Sequence, residues 1–476
     1  MSAEPTPAGG CLQSLLALVV FGALALAGVE VWEDRYAWPV AEAWYRLDEA
    51  DGRVSFRCQN FAPVEFAASP APGVKRVLLM GGSSTFGFPE RPVGDTPLGK
   101  PVHGFAGALQ AALDGGWPGV FEVVDLGVNG GNSEDTLRIL RRATGWGAAG
   151  IVVYDGHNEM MNVPRELSPA LWRFALYRRI SVMAEKADVS PGWVGPAAYG
   201  GPENARAVRE GFRRHLDAIV DAADGVPVVL ASQAANLAGF DPSWSVDGDA
   251  AALAGLARAT DAEVDALYAA QPTVADVAWA AGQRRLARGE DAAAALRAAA
   301  DHDGMPFRAS TEVNAVIREV AADRGVVLAD AEAAVGAAPG DDLFYDWVHP
   351  RPEASARIAG ALLDGMGRAG LLPPGSPGEA RVPAATPAED AEAAVRTAAS
   401  WVQWACVRGH DPGWRLAGAR RWAGRALALV PGHADAVAVD EIARALAGEA
   451  VSFTSDAERR ARLARIHRCV AERLGG

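Results

Sequence analysis

A serine, an aspartate and a histidine stand where they could serve as nucleophile, orienter and base. Ser83 lies in Val77-Leu-Leu-Met-Gly-Gly-Ser-Ser-Thr-Phe-Gly87, where an apolar run gives way to a glycine-rich polar bend. The run Arg76–Met80 reads as a strand covered on both faces, and Gly81-Gly82 allow a tight turn without a Cβ clash. Ser83 then sits at the carboxyl end of a buried strand, the edge where open α/β sheets collect ligands and catalytic groups. A plainer reading is that Ser83-Ser84-Thr85 caps the following helix, since Ser and Thr are good N-caps. Far downstream, Asp342-Leu-Phe-Tyr-Asp346-Trp-Val-His349-Pro350 puts a carboxylate three residues before an imidazole. In a turn that spacing can bring Asp346 to His349, fixing the tautomer and stabilising the imidazolium.

Two further bends are glycine-rich and polar: Gly127-Val-Asn-Gly-Gly-Asn-Ser133 and Asp155-Gly-His-Asn-Glu159. Each follows a strand-like run, so backbone N–H groups and an amide side chain would face the same sheet edge. His157, Glu159, Asp346 and His349 are metal-ligating types, but no His-Glu-x-x-His helix is present and no metal is expected. His157 is read as structural or supporting. The phosphate-binding pattern Gly-x-x-x-x-Gly-Lys is also absent, and no cofactor is expected. Asn236, in Ser232-Gln-Ala-Ala-Asn-Leu, is read as a turn amide outside the site.

Positioning these groups requires a sheet. Strands are expected at 76–80, 120–126, 150–155, 226–232 and about 325–329, with helices near 103–114, 133–145, 203–224, 311–324 and 351–367. That alternation predicts a parallel sheet with helices on both faces. Insertions at 160–202, rich in aromatics and Arg, and at about 240–310, largely alanine-rich helix, interrupt it.

Gly81-Gly-Ser-Ser-Thr85, Gly130, Gly156-His-Asn-Glu159 and Asp346-Trp-Val-His349, in that order, resemble the four blocks of the SGNH hydrolases, also called GDSL esterases and lipases. The match covers roughly 74–367 apart from the insertions. The resemblance implies a flavodoxin-like three-layer α/β/α fold with a parallel five-stranded sheet and a nucleophile at Ser83. It further implies oxyanion-hole donors from the Ser83 and Gly130 backbone and the Asn158 side chain, and an Asp346/His349 pair. Two departures stand out: Gly82 where the family usually has Asp, and Glu159 where it usually has Asp after the Asn. Thr85 stands where an α/β-hydrolase elbow would have its second glycine.

Around this domain, placed at 74–369, the chain divides into an N-terminal anchor at 1–33 and an irregular lead-in at 34–73, which is broken by Pro39, Pro63, Pro70 and Pro72. A Pro-rich linker follows at 370–388, then a C-terminal helical region at 389–476. Residues 12–29 carry no charge and approach the length that spans a bilayer, so a retained transmembrane helix is expected, with the catalytic domain outside the cytoplasm. Residues 272–306 and 390–431 each resemble one tetratricopeptide-type helical pair; such alanine-rich hairpins either pack on the main domain or, at the C-terminal helices, offer a surface for a protein partner. A net charge of -14 without a long basic run argues against nucleic acid as a partner. Cys11, Cys58, Cys406 and Cys469 are far apart and form no metal-knuckle spacing. The expected activity is a membrane-anchored serine esterase acting on an O-acyl group of a carbohydrate or lipid. An O-acyltransferase on the same fold and a non-catalytic helical adaptor are the alternatives.

Overall fold

A computed structural model describes residues 45–159, 202–246, 253, 255–407 and 412–460. Its first element corrects the irregular lead-in. Strands β1 (Tyr45–Ala50), β2 (Arg53–Cys58) and β3 (Val64–Ala67) form an antiparallel meander. Buried Tyr45 and Leu47 alternate with exposed Arg46 and Asp48, and Val54, Phe56 and Cys58 are buried on β2. Asp51 and Gly52, with φ of 51° and 72°, make the two-residue turn whose twist matches antiparallel strands. Pro63, Pro70 and Pro72 lie outside these strands and leave their ladders intact.

The central sheet contains β4 (Lys75–Gly81), β5 (Phe121–Asp125), β6 (Ala148–Tyr154), β7 (Val228–Ala231) and β8 (Val327–Ala329), in the order β5-β4-β6-β7-β8. All neighbouring pairs are parallel. Counted within the sheet this is the 2-1-3-4-5 order of flavodoxin-like folds, whose ligand crevice opens where the winding reverses. Here that point is the carboxyl end of β4 and β6.

The longer helices of the sheet domain bury an apolar face against the sheet. In chain order the helices are α1 (Ser83–Phe86), α2 (Gly104–Gly116), α3 (Ser133–Ala143), α4 (Pro202–Ala222), α5 (Asp261–Ala270), α6 (Ala275–Ala287), α7 (Ala293–Asp301), α8 (Thr311–Arg324), α9 (Ala331–Val335), α10 (Pro352–Arg368), α11 (Pro387–Val407), α12 (Gly413–Leu429) and α13 (Ala434–Leu446). Val77, Leu79, Val152 and Val229 of the sheet pack with Phe105 and Leu109 of α2 and Leu362 and Met366 of α10. The alternate residues Leu78, Met80, Ile151 and Val153 are also buried and face the layer formed by α3, α4 and α8. The five expected strands and the helices between them are therefore present, with ends shifted by a few residues.

The Pro-rich stretch does not hang free between domains. Trp117 Nε1 donates to the Pro374 carbonyl at 3.2 Å and Gly378 N to the Ala112 carbonyl at 2.8 Å, so the stretch runs along α2 and joins its core. Nor do the C-terminal helices form a core of their own. Trp401, Trp404 and Trp422 share one apolar cluster with Phe240, Phe307, Tyr345 and Trp347 of the sheet domain. Trp279 of α6 meets Trp414 of α12 with ring centres 5.2 Å apart, so the two helical units touch. Among the described residues no helix is long and apolar enough to cross a membrane. The segment at 12–29 lies outside them, as does the insertion at 160–202 apart from Pro202, which opens α4.

Candidate active site

Gly81 ends β4 with φ of 154°, and a Cβ there would stand 1.9 Å from the Tyr154 carbonyl oxygen. Only glycine lets β4 and β6 converge so closely before the chain turns. Gly82 is the N-cap of α1 and makes no side-chain cap, so the capping reading of Ser83 does not hold. Ser83 opens the helix, and its Oγ lies 2.8 Å from His349 Nε2. The neighbouring hydroxyls hold this turn in place. Ser84 Oγ donates to the Val348 carbonyl at 2.9 Å, and Thr85 Oγ1 donates to the Tyr154 carbonyl at 3.1 Å.

The turn before α10 carries the other two members. His349 Nδ1 is 2.6 Å from Asp346 Oδ2, and Asp346 Oδ1 accepts from the backbone N–H groups of Val348 at 3.1 Å and His349 at 3.0 Å. The carboxylate is fully buried, and these donors satisfy it as an acceptor. With Nδ1–H held by Asp346, Nε2 is left to accept the serine proton. Ser83 and His349 are 7% and 5% exposed, so their hydrogen bond sits in a largely water-excluded setting. The Phe88 ring lies 4.6 Å from the imidazole centre, and that of Trp347 lies 5.8 Å from it.

Asn236 is part of this arrangement, although its sequence context reads as an ordinary turn. Its Nδ2 donates to the Asp346 carbonyl and to Asp341 Oδ1, both at 2.9 Å, and its backbone N–H donates to the Trp347 carbonyl at 2.9 Å. One residue thus pins the turn bearing Asp346 and His349 to the loop after β7. The only hint in the sequence is its place just past a strand end. Trp401 Nε1 adds a clamp from α11, donating to the Tyr345 carbonyl at 2.8 Å.

Gly130, Asn158 and Ser83 follow β5, β6 and β4, three adjacent strands. Asn158 Nδ2 donates one hydrogen to the Gly131 carbonyl at 2.7 Å, which fixes the amide and leaves its second hydrogen for another acceptor. A Cβ on Gly82 would stand 3.0 Å from the Gly131 oxygen and 3.1 Å from Asn158 Nδ2. A Cβ at position 82 would need these neighbours to give by a few tenths of an ångström, so glycine suits this corner.

Glu159 follows Asn158 in the loop after β6. Its side chain reaches the start of α3, where Ser133 N and Ser133 Oγ donate to its two oxygens, each at 2.9 Å. Asn132 caps the same helix end, and His215 Nδ1 lies 2.9 Å from Ser133 Oγ. Glu159 therefore ties the Asn158 segment to the loop that carries Gly130. Burial raises its pKa to about 7, and burial followed by the Glu159 charge pushes Asp155 well above the usual carboxylate range. The metal-ligating types noted in the sequence have separate partners: Glu159 on Ser133, Asp346 on His349, and His157 Nδ1 accepting from Ala309 N at 3.1 Å.

No family model matches the chain, and no curated protein matches it. Among solved structures it is similar to one from Parabacteroides merdae described as a GDSL-like lipase, at 13% identity, covering 64% of this chain and 100% of that one with a TM-score of 0.31. A likeness at that score carries no argument.

Proposed function

We propose that the chain is a serine hydrolase of the SGNH type that cleaves an ester, an O-acyl group on a carbohydrate or lipid. The observation that carries this reading is the pair of contacts on one imidazole, 2.8 Å to Ser83 Oγ and 2.6 Å to Asp346 Oδ2. As Ser83 Oγ bonds to the acyl carbon, His349 Nε2 takes its proton. The tetrahedral oxyanion settles among the Ser83 and Gly130 N–H groups and the Asn158 amide. The intermediate collapses with loss of the alcohol, which leaves with the proton from the His349 imidazolium. Water then repeats the sequence on the acyl-serine and releases a carboxylic acid. The residues form this mechanism without a cofactor. The shared core of α11 and α12 with Tyr345 and Trp347 gives the C-terminal helices a task within this chain and weakens the adaptor alternative.

A fluorophosphonate probe tests the nucleophile. The wild-type protein is expected to label and to hydrolyse short p-nitrophenyl esters, while Ser83→Ala does neither. Labelling that persists in Ser83→Ala overturns the assignment.

A further inference from the structure

Ser83 and His349 stand 266 residues apart in the chain, so the 2.8 Å between Oγ and Nε2 depends on contacts that fix one segment against the other. Glu90 makes such a contact from the stretch that leaves α1. Its Oε1 accepts from the Tyr345 hydroxyl at 2.9 Å, and its Oε2 accepts from Gly104 N at 2.7 Å. His103, the N-cap of α2, gives that helix no side-chain cap, so Glu90 takes the place of one from another segment. The positive end of a helix suits a carboxylate. Phe105 and Leu109 seat α2 in the core of the sheet domain, so the Glu90 side chain is anchored on a packed element.

Both ends of the Glu90–Tyr345 bond lead to the proposed reacting groups. On the nucleophile side Phe88 N donates to the Ser83 carbonyl at 3.2 Å, Arg91 N donates to the Gly87 carbonyl at 2.9 Å, and the Phe88 ring lies against the imidazole. On the other side Tyr345 precedes Asp346, and its N–H donates to the His349 carbonyl at 2.9 Å. The contacts close a ring that runs from Ser83 to Phe88, along the chain to Glu90, across to Tyr345, on to His349 and back to Ser83 Oγ. From α11, Arg396 Nε donates to the Pro89 carbonyl at 2.7 Å and holds the same stretch.

We infer that Glu90 is a positioning residue for the proposed reaction: by holding the Tyr345 hydroxyl it fixes the turn bearing Asp346 and His349 against α1 and sets the separation of Ser83 from His349. The inference goes beyond the hydrolase reading and rests on it. Glu90 acts through Tyr345, by position and not by charge, so an amide should serve as well. A glutamine keeps an oxygen for Gly104 N, and its NH2 can donate to the Tyr345 oxygen, because a phenol accepts as well as donates.

The test is steady-state hydrolysis of p-nitrophenyl acetate by variants whose melting curves confirm folding. Tyr345→Phe removes one oxygen and keeps the ring beside Trp422, with centres 5.2 Å apart. Its kcat is expected to fall about 5- to 30-fold with KM unchanged within about twofold, because proton transfer suffers and ester binding does not. Glu90→Ala should fall at least as far, and Glu90→Gln should stay within about threefold of wild type. The double variant Glu90→Ala/Tyr345→Phe should match Glu90→Ala, since both changes break the same bond. Either single variant carries the test should the other fail to fold. Unchanged kcat in a folded single variant, a loss confined to KM, Glu90→Gln as slow as Glu90→Ala, or losses that multiply in the double variant overturns the inference. If the wild type hydrolyses the ester and labels with the phosphonate, those outcomes refute the inference alone. A wild type that does neither refutes the hydrolase reading and the inference with it.

Discussion

An amide that serves an oxyanion does its work only after the acyl carbon becomes tetrahedral. Asn158 is already fixed by its bond to the Gly131 carbonyl, so no reorganisation is needed when the charge develops. Asn158→Ala is therefore expected to lower kcat by roughly 10²- to 10³-fold with little change in KM, and a loss confined to KM would make Asn158 a ground-state binder. Glu159 acts one step further out. Its pKa rises from 4.5 to about 7 through burial, so it binds its proton more tightly folded than unfolded. Its contribution to stability is complete below about 4.5 and is lost as pH climbs through about 7. Between pH 5 and 8 the melting temperature of Glu159→Gln should gain on that of wild type, and a constant gap would show that Glu159 does not titrate in this range. Ser83, Asp346 and His349 were legible because their spacing and the bends around them carry chemistry on their own. Asn236 was not, since what it holds is a carbonyl 110 residues away that no local pattern reveals.

At the scale of elements, the main-sheet strands were legible because buried parallel strands read as continuous apolar runs bounded by turns. The β1–β3 meander was missed because four prolines drew more weight than the alternation of Tyr45 and Leu47 and the Asp51-Gly52 turn. The role of α11 and α12 was also hidden. Their alanine-rich pattern announces helices, but nothing local says that Trp401 and Trp404 pack against the turn bearing Asp346 and His349. Trp401 is fully buried, its ring centre lies 4.9 Å from that of Phe240, and its N–H holds the Tyr345 carbonyl. Trp401→Ala is expected to cost about 3–5 kcal/mol of stability and to lower kcat, because the catalytic turn loses a clamp as well as a core side chain. Chemical denaturation alongside steady-state kinetics checks both. Reduced stability with normal kcat would make α11 scaffold only.

For the whole molecule, the uncharged stretch at 12–29 is proposed to tether the enzyme, with the catalytic domain outside the cytoplasm. Alkaline phosphatase fused after residue 60 should be active and membrane-bound. An inactive membrane-bound fusion would reverse the topology, and a soluble product of native size would remove the anchor. The packing of the C-terminal helices also sets an order of events during synthesis. Ser83, the first strands of the sheet and the loops bearing Gly130 and Asn158 precede residues 387–429, which cover Tyr345 and Trp347, in chain order. Domains fold as units as they emerge, and contacts distant in sequence form late. If Ser83 and His349 act as proposed, a nascent chain that has Ser83 but lacks residues 387–429 is therefore expected to be unlabelled by the phosphonate probe.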